Sequence, residues 1–227
     1  MKIRPITTLF LLTSVDGKIS TGASDELDVD RDYPLLDGVK QGLHQYYEIE
    51  RTTDLWSLNS GRVQAKIGIN EKPFLPKGIV SFVVIDNHNL ERHGVEYFSK
   101  MAKTFVLVTS NPNHPAFKMN IENVNIIYQD KFSPKEMFEI LYEKYGCEQI
   151  TIQTGGTLNE IFLREKLFDY VDIVIAPVLV GGLNTPSLID GQSIISREDL
   201  YKLGILKLEK CEVLKDSYLR LKYKVVG

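Results

Sequence analysis

Four short segments carry residues whose types and spacing could do chemistry. Thr154-Gly155-Gly156-Thr157-Leu158-Asn159-Glu160 follows a β-rich run and opens a helical pattern. Glycines without a Cβ let a backbone approach a bulky ligand, and free N–H groups at a helix start suit a phosphate. Thr157 and Glu160 have capping-box spacing, which places the helix start there. An ordinary capped strand–helix turn reads the same way. Ser14-Val15-Asp16-Gly17-Lys18 follows the first apolar run. Its Asp-Gly pair favours a turn, which sets a carboxylate and an ammonium where open α/β sheets bind ligands. For this segment standing alone, a polar turn without function is the commoner reading.

Asn59-Ser60-Gly61-Arg62 forms a third junction of this kind. Arg62 could fork onto a phosphate there, or be a solvated arginine. Thr109-Ser110-Asn111 ends another β-run, where it could meet a ribose or phosphate or make the turn before Pro112. Other motifs fail. Asp28–Asp32 begins like a calcium loop, but Tyr33 stands at the glycine position and Val39 at the bidentate glutamate. The four histidines give no zinc spacing, and there is no P-loop, GxSxG elbow or zinc-deaminase signature. No metal is expected.

The elements that must position these segments alternate short β-runs with helical patterns, as in an α/β sheet. Expected strands are Ile6–Thr13, Asp54–Leu58, Ile79–Ile85, Thr104–Thr109, Val124–Tyr128, Gln149–Gln153 and Val171–Ala176. Leu203–Leu214 and Tyr218–Val226 read as a closing antiparallel hairpin. Expected helices are Tyr33–Arg51, with Gly38 and Gly42 as weak points, Arg62–Lys66, Val95–Ala102, Pro134–Tyr145 capped by Ser133, and Leu158–Lys166. The 227 residues fit one domain, and no linker divides them. A net charge of −3 predicts no nucleic-acid partner. Cys147 and Cys211 form no CxxC pair, which fits free thiols in a reducing cytoplasm. No apolar run is long enough for a signal or membrane segment.

Together the four segments resemble one family: the reductase domain at the C-terminus of riboflavin-biosynthesis deaminase-reductases, with its free-standing relatives, in the dihydrofolate-reductase-like superfamily. The family's S-x-D-G-K matches Ser14–Lys18, and its G-G-x-L matches Gly155–Leu158. LFDYVDIVIAPVLVG over Leu167–Gly181 matches the stretch that follows. The resemblance runs from about Ile6 to Val226 and implies a three-layer α/β fold. Its central sheet would be mostly parallel, with helices on both faces and an antiparallel C-terminal hairpin.

It further implies NADPH as cofactor, a homodimer, and reduction of the ribosyl C1′ of a phosphoribosylamino-pyrimidine to a ribityl chain. Thr154, Gly155, Gly156, Thr157 and Leu158 would hold the cofactor's pyrophosphate. Ser60, Gly61 and Arg62 would hold the 2′-phosphate, Thr109 and Ser110 would lie near the adenosine, and Thr13 and Ser14 near the nicotinamide. Lys18 would polarise or protonate the accepting heteroatom, and Asp16 would orient Lys18 or bind a substrate hydroxyl. Ser24 and Gln153 would contact substrate. The sequence departs from the family where Gln153, or nearby Thr154, stands in place of a common glutamate, and where Asp54–Arg62 looks more like the dihydrofolate-reductase branch. Two alternatives stay open: a reductase of another small carbonyl or imine, and an inactive nucleotide-binding protein.

Overall fold

The computed structural model describes residues 3–227. In chain order the elements are β1 Ile6–Thr13, α1 Val29–Asp32, α2 His44–Glu50, β2 Trp56–Ser60, α3 Gly61–Lys66, β3 Ser81–Ile85, α4 Arg92–Met101, β4 Phe105–Thr109 and β5 Val124–Tyr128. Then follow α5 Pro134–Tyr145, β6 Gln149–Gln153, α6 Gly156–Arg164, β7 Tyr170–Ile175, β8 Leu206–Val213 and β9 Leu219–Val225. They form two compact units. One comprises Asp54–Thr154 with the segment ending at Ile6, the other Thr7–Thr53 and Gly155–Gly227.

The first unit arranges its strands in the order β5-β4-β3-β2-β6, every pairing parallel. All five residues of β4, FVLVT, are buried, so neither sheet face is left to water there. On one face Val84, Phe105 and Leu107 join Val95, Tyr97 and Phe98 of α4 in a continuous apolar cluster. Helix α5 starts as its sequence dictates: the Ser133 hydroxyl accepts from the Glu136 amide, and Pro134 occupies the first turn. Gly146 ends it in the left-handed region at φ 66°.

The second unit runs β1-β7-β9-β8, with β1 and β7 parallel and the last two pairings antiparallel. Its core packs Phe10, Leu12 and Val174 against Tyr33, Tyr46 and Tyr218. Phe10 and Tyr46 stack at 5.2 Å between ring centroids. The long helix expected over Tyr33–Arg51 is not formed. A 3-10 turn at Tyr33–Leu35 and a run of turns precede α2. Gly38 sits at φ 88°, outside helical geometry, and a Cβ at Gly42 would collide with the Tyr218 ring. Tertiary contact with Tyr218 thus overrides the helical spacing.

The register of the β8–β9 hairpin holds one further feature. Leu206 and Leu208 face Val225 and Tyr223, while Cys211 and Val213 face Leu221 and Leu219. The ladder slips between Leu208 and Lys210, which shifts the side-chain parity of β8. The slip keeps all eight residues on one face and puts Lys207, Lys210 and Glu212 on the other. Leu206, Leu208 and Val213 are exposed on that apolar face. Among the described residues no helix is long and apolar enough to cross a membrane.

Candidate active site

In the first unit the relevant residues sit at the C-terminal ends of parallel strands. β2 lies two residues later than expected, so Asn59 and Ser60 belong to the strand and α3 starts at Gly61. The Ser60 hydroxyl caps it by accepting from the Val63 amide at 3.3 Å. Gly61 is buried, and a Cβ there would overlap the Asp86 carboxylate. Arg62 follows in the first turn of α3 and is exposed.

Asp86, at the end of β3, is itself buried. It accepts from the Asn89 and Leu90 amides and from His114 Nε2 at 3.0 Å. Burial pushes its pKa up, but these hydrogen bonds outweigh burial and hold it below the ordinary carboxylate range. The Thr109 hydroxyl donates to Asn87 Oδ1 and accepts from the Asn111 amide, while the Ser110 amide donates to the same Asn87 oxygen. The Thr109 side chain therefore builds the turn before Pro112. The half-buried Ser110 keeps its hydroxyl outside that set of bonds. Gln153 Oε1 accepts from the Ser57 hydroxyl, which also accepts from Asn59. Thr154 is buried beyond it.

In the second unit the Ser14–Lys18 segment is a tight turn. Ser14 N–H bonds the Lys18 carbonyl, Lys18 N–H bonds Ser14 Oγ, and Gly17 supplies φ 76°. Thr13 and Ser14 are buried just before it. The turn is laced to the segment after β7. Val15 N–H donates to Val178 O, Ile19 N–H to Pro186 O, and Leu188 N–H to Gly17 O. Asp16 accepts from Ser14 Oγ at 2.5 Å and from the Val180 and Gly181 amides at 3.1 and 2.7 Å. Those donors, the Ser14 hydroxyl first, lower its pKa to about 2. Lys18 Nζ goes elsewhere, donating to Thr185 O at 2.9 Å and Ser187 Oγ at 3.0 Å. Asp16 and Lys18 share no side-chain hydrogen bond, and each has its own anchor on the 180–187 segment.

Helix α6 begins at Gly156, two residues before expectation, with Gly155 as its N-cap and no side-chain cap bond. The Thr157–Glu160 capping box does not form, because Thr157 already lies inside the helix. Glu160 pairs with Arg164 one turn on. Gly156 is buried, and a Cβ on it would meet the Asp190 carboxylate and the Ser187 carbonyl. Its missing side chain admits the protein's own chain. Gly155 and Leu158 are half-buried and Thr157 is exposed. Ser24 is exposed, and its hydroxyl accepts from the Glu26 amide in a local turn. Asp86, His114, Thr185, Ser187 and Asp190 were not singled out from sequence. Only Asp86, a carboxylate ending an apolar strand, carried a local signal.

A mostly parallel α/β arrangement of this kind, closed by an antiparallel C-terminal hairpin, defines the class: a dihydrofolate-reductase-like fold. The chain belongs to the RibD C-terminal domain family, whose model matches residues 5–218. Curated relatives include the 2,5-diamino-6-ribosylamino-4(3H)-pyrimidinone 5′-phosphate reductases of Archaeoglobus fulgidus and Methanothermobacter thermautotrophicus. The first is 22% identical over 88% of this chain and 93% of that protein. The second is 25% identical over 89% of this chain and 92% of that protein. Among solved structures, Acinetobacter baumannii RibD superposes with a TM-score of 0.69 at 15% identity. All of this chain is covered there, but only 59% of RibD. The Saccharomyces riboflavin biosynthesis reductase Rib7 gives 0.61 at 13% identity, covering 100% of this chain and 92% of Rib7. At such identities these structures speak for the fold alone.

Proposed function

We propose that residues 1–227 act as one cytoplasmic NADPH-dependent reductase domain of riboflavin biosynthesis. The substrate would be a phosphoribosylamino-pyrimidine of the kind named for the archaeal relatives, reduced at the ribosyl C1′. The observation that carries this reading is the Ser14–Lys18 turn. It holds an ammonium by two directed hydrogen bonds at the end of a parallel strand, in a chain matched by the reductase family over nearly its whole length.

The residues fit the cofactor. Helix α6 starts without a side-chain cap, which leaves its leading amides to an anion, while the space a Cβ would take on Gly156 is filled by Asp190 and Ser187. Arg62 would take the 2′-phosphate, and Ser110 would serve the adenosine. When bound, NADPH supplies the hydride. Lys18 holds the accepting heteroatom or is the source of its proton, and Asp16 fixes the backbone at Val180 and Gly181. Gln153 and Ser24 would meet substrate.

The apolar face of β8–β9 supports a homodimer as the working form. A second copy bringing the same face would bury Leu206, Leu208 and Val213 by an isologous contact.

Purified protein mixed with NADPH and the pyrimidine phosphate should lose nicotinamide absorbance and yield the ribityl product. Binding of NADPH with no turnover would defeat the reading. One observation favours a second reading, reduction of another small carbonyl. Glutamine replaces the family's glutamate at 153, and its oxygen is occupied by Ser57. Turnover of other carbonyls in place of the pyrimidine would select it.

A further inference from the structure

The turn Ser187–Asp190 lies against both chemical segments of the second unit. On one side, Ser187 pairs with Lys18 through an isolated antiparallel bridge, and its hydroxyl accepts from Lys18 Nζ at 3.0 Å. On the other, its carbonyl packs on the Cα of Gly156. Its amide donates to Asp190 Oδ1, and the Asp190 amide bonds the Gly156 carbonyl. Ser187 is thus fixed by four separate contacts and remains half-buried rather than sealed.

Hydrogen-bond chemistry assigns direction. An ammonium only donates, so Ser187 Oγ must be the acceptor of the Lys18 contact. The serine's own hydrogen is left over, and among the described residues it has no acceptor. Lys18 has two of its three hydrogens committed, to Thr185 O and Ser187 Oγ. A hydroxyl that accepts from a cation and has its hydrogen available is polarised to donate.

We propose that Ser187 is the immediate proton donor of the reaction, with Lys18 behind it as the source; this rests on the reductase reading above. As C1′ takes up the hydride, its π bond to the heteroatom breaks and the electron pair moves to that heteroatom. The heteroatom bonds the Ser187 hydroxyl hydrogen. The Oγ–H bond breaks, and Oγ takes a hydrogen from Lys18 Nζ. Lys18 is left as the neutral amine and regains its proton from solvent.

The test compares Ser187→Ala and Ser187→Thr with the parent protein in turnover, NADPH affinity by fluorescence titration, and melting temperature. Ser187→Ala should lower kcat by about 100-fold, with NADPH affinity and melting temperature unchanged, and Ser187→Thr should restore most of the rate. Full kcat in Ser187→Ala overturns the relay and leaves the reductase standing. A parallel loss of NADPH affinity and melting temperature also overturns it, since that marks packing against Gly156. A parent protein that binds NADPH without turning over the pyrimidine phosphate overturns both the relay and the reading it rests on.

Discussion

His114 donates from Nε2 to the Asp86 carboxylate at 3.0 Å, with neither side chain exposed. Its Nδ1 accepts from the Ala116 amide, which fixes the tautomer that donates. The pair supports the wall on which Gly61 rests. Replacing His114 by Ala removes a donor from a buried carboxylate and should cost about 2–4 kcal/mol in urea unfolding. Asp86 also sets a pH dependence. Its folded pKa lies below the unfolded value, so its stabilisation is present above the ordinary carboxylate range. It is lost as pH falls through the folded value. Stability should drop steeply below about pH 4, and Asp86→Asn should flatten that limb. An unchanged slope would remove Asp86 from the account.

Asp16 is expected to act through the backbone it holds. An asparagine there would turn its NH2 toward either the Val180 or the Gly181 amide, and one of those bonds would be lost. Asp16→Asn should therefore speed hydrogen exchange at Val180 and Gly181 and lower kcat/KM by about tenfold. In the parent protein, protection there should hold below pH 4 and fail only near the depressed value of about 2. This follows the rule for a lowered carboxylate: the contact is present above the unfolded pKa and lost through the folded one. Unaltered exchange in the variant would show that the carboxylate holds nothing.

How much of this could be read from the chain differs by interaction range. Strands β1, β5 and β6 and helix α5 fall where local signals put them, because apolar runs, Ser133-Pro134 and Gly146 act over a few residues. The helix over Tyr33–Arg51 fails because the Tyr218 ring, far along the chain, occupies the space at Gly42. The start of α6 is not legible locally because Thr157–Glu160 mimics a cap, while the helix begins at Gly156, against which Asp190 and Ser187 pack. Lys18 was legible as a motif residue. Its partners Thr185 and Ser187 were not, being set by pairing between segments about 170 residues apart.

Arg62 stands exposed in the first turn of α3, just past the Ser60 cap. A guanidinium there should discriminate the cofactor's 2′-phosphate from a bare 2′-hydroxyl. Arg62→Ala should weaken NADPH by about tenfold or more while leaving NADH nearly unchanged, in line with the loss of one charge-assisted contact. Titration of both nucleotides checks this, and equal losses would transfer the specificity to other residues.

The slipped register between Leu208 and Lys210 gathers the apolar side chains of β8 and β9 on one face. Leu208 is half exposed at 50% and Val213 largely so at 83%, side by side with Leu221, Leu219 and Tyr223. Burying two such faces against each other would remove this apolar area from water at about 25 cal/mol per Å². A charge placed there cannot be buried without a partner. Leu208→Glu and Val213→Glu should each shift light-scattering mass from dimer to monomer. Lys207→Glu, on the opposite face of the same strand, should leave the mass unchanged. If the parent protein already runs as a monomer at micromolar concentration, the face serves no self-association.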